Sequence, residues 1–269
     1  MKKFISLFFA ISLSFAVQAQ TVVYNQVNNI QYYESANDIN DAYKQQKCLL
    51  DIYYPESEKK FPVVVWFHGG GLTSGTKEIP EALKNKGFLI VGVDYRLSPN
   101  VKAEDCISDA TAAVAWVFKN IEKYNGDSKS IFISGHSAGG YLSLMVGMNK
   151  KLLKEYDIDA DTIAGFIPFS GHTITHFTIR AENGIEGTQP IVDEFAPLYY
   201  VRKNTPPILL ITGDRELEML GRYEENAYFY RMMKVVGNEN IKILELDGYG
   251  HNMAEPAFPL LIDFINKKL

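Results

Sequence analysis

The chain has 269 residues, of which 46% are hydrophobic and 22% charged, and its formal net charge is −5. That is enough apolar material for one large α/β core, and length alone does not demand a second domain. No basic run is longer than a pair such as Lys59-Lys60 or the N-terminal lysines, so the charge pattern argues against nucleic acid as a partner.

In chain order, Met1-Lys2-Lys3, the apolar stretch 4–17 and the small residues around Val17-Gln18-Ala19 read as a secretory signal peptide over residues 1–19. The apolar run is short for a membrane span, and no basic stop-transfer cluster follows it. The expectation is an exported protein, periplasmic or secreted, with a mature chain beginning near Gln20, a single domain over 20–269 and no membrane span. Cys48 and Cys106 are expected as two buried free thiols, because nothing in the sequence shows that they meet.

Residues 22–33 mix Val, Ile and Tyr with Asn and Gln, as exposed edge strands do, and Gln46 to Tyr54 is a second strand candidate ended by Pro55. Pro62 to Phe67 and Phe88 to Tyr95 are apolar runs that suit strands buried on both faces. Asp105 to Tyr124 has helical spacing, with Gly126 as its stop. Ile131 to Ser134 predicts a strand, Tyr141 to Met148 a helix and Ile163 to Phe169 another strand. From His172 to Thr205 the periodicity is lost, which predicts a cap-like or substrate-shaping insertion. A strand at Ile208 to Thr212, a helix over about 221–236, a strand at Ile241 to Leu246 and a helix from Phe258 complete the chain. Strands alternating with helices predict an α/β fold, with a mainly parallel eight-stranded sheet, helices on both faces and an antiparallel edge.

Chemistry gathers where strands end. Gly135-His136-Ser137-Ala138-Gly139 lies between a strand and a helix, the setting of a nucleophile elbow. Ser137 then needs a base, and His251, in the glycine-bracketed loop after the last strand, is the candidate. His172 and His176 fall in the irregular insertion, facing substrate or solvent, and His136 is expected to pack against the sheet. The acid that orients His251 should follow the strand ending at Thr212. Glu216 is the preferred carboxylate and Asp214 its rival, whose other role would be a turn cap or an ion pair. Backbone N–H groups of Gly70, Gly71 and Ala138 can form an oxyanion hole. No Gly-x-x-x-x-Gly-Lys loop and no zinc-ligand spacing is present, so neither a cofactor nor a metal is expected.

His68-Gly69-Gly70-Gly71, Asp94-Tyr95-Arg96-Leu97-Ser98-Pro99, Gly135-His136-Ser137-Ala138-Gly139-Gly140 and Gly250-His251 together resemble the α/β-hydrolase superfamily. More narrowly they resemble its hormone-sensitive-lipase-like and bacterial feruloyl/acetyl-esterase-like (BD-FAE-type) branches, over about residues 45–269. The resemblance implies a cofactor-free serine esterase of short or medium acyl groups, acetyl or feruloyl-type. It assigns Ser137 as nucleophile, His251 as base and the position three after Gly213 as acid, usually Asp and here Glu216. Export would suit a carbohydrate ester substrate. An amide-cleaving relative, either a peptidase or a formamidase, stays open, as does a catalytically silent binding module. The sequence does not give an oligomeric state.

Overall fold

The computed structural model describes residues 22–34, 41–57 and 59–268. The segment read as a signal peptide lies outside them. Eight strands are present: β1 Val23–Gln31, β2 Leu49–Glu56, β3 Phe61–Phe67, β4 Leu89–Val93, β5 Gly126–His136, β6 Gly165–Phe169, β7 Ile208–Gly213 and β8 Ile241–Leu246. They form one sheet in the order β1-β2-β4-β3-β5-β6-β7-β8. β2 runs antiparallel to both β1 and β4, and the other neighbouring pairs are parallel. The fold is the expected mainly parallel α/β sheet with an antiparallel edge.

Seven α-helices are described: α1 Ala42–Lys47, α2 Ala103–Asn120, α3 Ala138–Met148, α4 Lys150–Lys154, α5 Phe177–Glu182, α6 Arg222–Val235 and α7 Ala254–Asn266. The continuous apolar strands serve two cores at once. In β3, Val63, Val65 and Phe67 pack with α2, α3 and α6, while Val64 and Trp66 pack with α7 on the other face. The same alternation divides Ile131 and Ile133 from Phe132 in β5, and Ile208 and Leu210 from Leu209 and Ile211 in β7. Each such side chain taken from water contributes about 1.5–3 kcal/mol, so these strands hold both helical layers. Cys48 and Cys106 are buried free thiols.

Among the boundaries that differ from the sequence reading, three have a local cause. Gln46 and Lys47 are helical, because Asp41 caps α1 by accepting from the Tyr43 and Lys44 amides. After α2 a 3₁₀ turn, Ile121–Tyr124, is closed by Asn125 in the left-handed conformation at φ 64°, and Gly126 already belongs to β5. α7 begins before Phe258, with Pro256 in its first turn, where a missing N–H costs little. The segment 172–205 contains α5 and a 3₁₀ turn at Pro197–Tyr200.

Register sets the position of the site. Phe67 pairs with Gly135, His136 with Phe169 and Gly213 with Leu246. The loops after β3, β5, β6, β7 and β8 therefore open on one edge, where ligands of such sheets bind. Among the described residues no helix is long and apolar enough to cross a membrane.

Candidate active site

Ser137 joins β5 to α3 at φ 56° and ψ −113°, a conformation that costs a non-glycine residue about 1–3 kcal/mol. Close packing imposes it. A Cβ on Gly139 would lie 2.0 Å from the Phe67 carbonyl oxygen, and one on Gly135 would lie 2.5 Å from the same atom. Only glycine lets the helix start this near β3. From the other side, the Ser137 amide donates to Phe169 O at 2.8 Å.

His251 reaches this serine. Its Nε2 lies 2.9 Å from Ser137 Oγ, and its Nδ1 lies 2.6 Å from a carboxylate oxygen of Glu218. With Glu218 accepting the Nδ1–H, Nε2 is left to accept the serine proton. The carboxylate beside His251 is thus Glu218, and neither Glu216 nor Asp214. The amides of Leu217 and Glu218 both donate to Asp214 O, at 2.9 and 2.7 Å, winding 214–218 into one tight turn. That turn leaves Glu216 exposed and sends the Glu218 side chain inward to 0% exposure. The Asp214 carboxylate instead accepts from the Glu216 and Gly248 amides, both at 2.9 Å, clasping this turn to the His251 loop.

Burial opposes the charge on Glu218. The bonds from His251, from the Ser170 hydroxyl at 2.6 Å and from the Met219 amide at 2.9 Å overcome it, holding the carboxyl down at about 2. Ser170, buried and at φ 46°, also stands 3.1 Å from His251 Nδ1. His136 does more than pack against the sheet: its Nε2 lies 2.8 Å from His251 O, which makes it the donor. Burial and the neighbouring His251 push its imidazole down to about 4, so it is neutral at ordinary pH.

The loop His68-Gly69-Gly70-Gly71 lies against Ser137, with a Cβ on Gly69 only 3.6 Å from Ser137 Cβ. His68 anchors it. Its Nε2 lies 3.1 Å from Asp94, its ring stacks on Tyr95 at 4.2 Å, and its carbonyl accepts from the Tyr95 hydroxyl at 2.8 Å. Lys47 closes the cluster, 3.2 Å from Asp94. Gly70 O accepts the Thr73 and Ser74 amides, and a trans peptide points the Gly71 N–H the opposite way. Among the described residues, none accepts a hydrogen bond from the Gly70, Gly71 or Ala138 amides, which leaves these donors for a ligand.

The irregular segment folds back onto this loop. The Phe177 ring lies over Gly71, 3.1 Å from where a Cβ would sit, and Thr178 Oγ1 donates to Gly71 O at 2.5 Å. Glu182 fastens the segment to the body by accepting from Ser98 Oγ and from the Ala103 amide at the start of α2. His172 and His176 are buried rather than solvent-facing, at 7% and 0% exposure. His172 accepts from Arg222 Nη2 at 2.7 Å, and Arg222 Nε donates to Glu225 at 2.8 Å. The sequence reading missed Glu218 and Ser170, and it gave neither Asp94, quoted only as part of a motif, nor Arg222 the role it has here. Among the described residues no three His, Cys, Asp or Glu side chains group as metal ligands.

The esterase LipC of Mycobacterium tuberculosis is 26% identical over 76% of this chain, which spans 56% of LipC's length. Among solved structures, a truncated form of a carbohydrate esterase from gut microbiota aligns at a TM-score of 0.73 and 19% identity, over 93% of this chain and 98% of that one. A bifunctional GH43-CE protein of Bacteroides eggerthii aligns at 0.72 and 20% identity, over 90% of this chain and 38% of that one. The BD-FAE family model matches residues 50–219. That match takes in the glycine-rich loop, the serine elbow and the turn that carries Glu218, and the chain belongs to the BD-FAE family of α/β-hydrolases.

Proposed function

We propose that this protein is an exported serine carboxylic ester hydrolase that removes short acyl groups from carbohydrate esters. The observation that carries the reading is the Ser137–His251–Glu218 chain, at 2.9 and 2.6 Å, beneath a strained elbow. Ser137 Oγ attacks the ester carbonyl while His251 Nε2 takes its proton, and Glu218 stabilises the imidazolium. The oxyanion forms before the Gly70, Gly71 and Ala138 amides, where preorganised donors are worth several kcal/mol, about 10²–10³ in rate for each. His251 then protonates the departing alcohol, and water cleaves the acyl-enzyme by the reverse sequence.

Phe177 standing over Gly71 favours a short acyl group such as acetyl over a feruloyl ring. The carbohydrate part of the reading draws on the likeness to a carbohydrate esterase, and export draws on the leader-like residues 1–19. The test is acetate release from acetylated oligosaccharide and from p-nitrophenyl acetate, beside p-nitroanilide and N-formyl substrates. Ester turnover that disappears in Ser137→Ala supports the reading, whereas preference for the amides overturns it. Export is checked by the N-terminus of protein recovered from its host, expected near Gln20; an intact Met1 on active protein contradicts it.

A further inference from the structure

His251 Nε2 must hand its proton to the departing oxygen, so the alcohol half of the ester emerges past His251. The two loops that carry Glu218 and His251, 213–221 and 247–251, are locked together. The Asp214 amide donates to Tyr249 O at 2.7 Å, and the Gly248 amide to Asp214 at 2.9 Å. Leu217 O and Cβ lie 2.8 and 3.8 Å from where a Cβ on Gly250 would sit. On this frame Tyr249 is 48% exposed and Leu217 56%; Leu217 directly precedes Glu218, and Tyr249 stands two residues before His251.

An exposed aromatic and an exposed aliphatic side chain, carried on locked backbone in the loops of the triad base and acid, offer a contact surface. Charge decides what it contacts. Arg215, Glu216 and Asp247 are exposed in the same two loops, so the apolar side chains are framed by hydrogen-bonding groups. An aliphatic alcohol would meet those charges as desolvation cost. A sugar ring suits both components, offering a C–H face to Tyr249 and Leu217 and hydroxyl edges to the Glu216 and Asp247 carboxylates, the Arg215 guanidinium being held by Glu245 and Tyr223.

We propose that Tyr249 and Leu217 form a subsite for a sugar ring on the alcohol side of the scissile ester. This rests on the esterase reading above and specifies which surface selects its substrate. The experiment compares kcat/KM for acetate release from acetylated xylo-oligosaccharide, ethyl acetate and octyl acetate. In Tyr249→Ala the ratio of oligosaccharide to ethyl acetate falls at least about tenfold, mainly through KM, equivalent to about 1.4 kcal/mol of lost binding. Tyr249→Trp keeps the ratio, and Leu217→Ser lowers it by less than Tyr249→Ala. An unchanged ratio in Tyr249→Ala overturns the subsite while the esterase reading stands. So does a larger loss on octyl acetate than on oligosaccharide, which assigns the patch to aliphatic alcohols. A wild-type protein inert on all three esters overturns the esterase reading, and the subsite with it.

Discussion

Besides His68 and Asp94, two carboxylate–imidazole contacts at this edge of the sheet are linked through Ser170. Glu218 accepts a hydrogen bond from His251 Nδ1 at 2.6 Å, whereas Glu225 lies 2.8 Å from His172 Nδ1 without hydrogen-bond geometry. Their other nitrogens separate them further. His251 Nε2 faces the Ser137 hydroxyl, whereas His172 Nε2 is taken by the Arg222 guanidinium. A lone pair committed to a buried cation cannot take a proton, so the same two side chains make a base in one place and a brace in the other. Burial and the adjacent Arg222 hold the His172 imidazole below its ordinary value. The brace holds the chain after β6: the Thr173 and Ile174 amides donate to Glu225, and Arg222 Nη1 donates to Ser170 O. Ser170 in turn donates to Glu218, so the second pair supports the first.

The largest expected effect breaks one pair and spares the other. In serine-protease triads the change of carboxylate to amide lowers turnover about 10⁴-fold, and Glu218→Gln is expected to lose three to four orders of magnitude in kcat. Glu216→Gln and Asp214→Asn should stay within about tenfold of wild type, since the first is exposed and the second clasps two loops. Steady-state kinetics on p-nitrophenyl acetate check all three. A comparable loss in Glu216→Gln would reverse the assignment.

Glu225→Gln should show the opposite profile. Removing the carboxylate that Arg222 contacts leaves a buried cation short of its partner, which costs about 3–5 kcal/mol, while kcat falls far less than in Glu218→Gln. Thermal melts beside kinetics read this difference. The pH dependence sharpens it. Glu218 drops from an ordinary value near 4.5 to about 2 on folding, so its stabilising contribution is fully present above about pH 4.5. That contribution disappears as pH falls through about 2. The melting temperature of Glu218→Gln should therefore decline less steeply than that of wild type over this window.

Smaller effects probe the neighbours of the first pair. Phe177→Ala, which uncovers Gly71, should raise the hexanoate-to-acetate ratio of p-nitrophenyl ester turnover about tenfold; an unchanged ratio would mean that the acyl chain runs elsewhere. His136→Ala removes the donor to His251 O, and losing such a bond costs about 1 kcal/mol. The expected result is a fall of about fivefold to tenfold in kcat with little change in KM.

Much of this was legible in the sequence. Continuous apolar runs such as Val63 to Phe67 can satisfy two cores only as buried parallel strands, and the glycines at 135 and 139 have a steric cause at the Phe67 carbonyl. The positions of Ser137 and His251 at strand ends followed from the same pattern. Glu218 did not, because counting three residues past Gly213 assumes an extended loop. The chain instead winds a turn closed by Asp214 O, so residue 218 rather than 216 faces inward. A turn of that kind places i and i+4 on one side, which was the available signal. Ser170, Asp94 and Arg222 were hidden for another reason. Each acts through a partner distant in sequence, as Ser170 does through Glu218 and Arg222 through His172.

The most direct test of the central claim is the site and rate of labelling by a fluorophosphonate, followed by peptide mass mapping. The account predicts a single adduct on Ser137, absent from Ser137→Ala, formed far more slowly in Glu218→Gln and only slightly more slowly in Glu225→Gln. An adduct on Ser134 or Ser170, or labelling of Glu218→Gln at the wild-type rate, would contradict it.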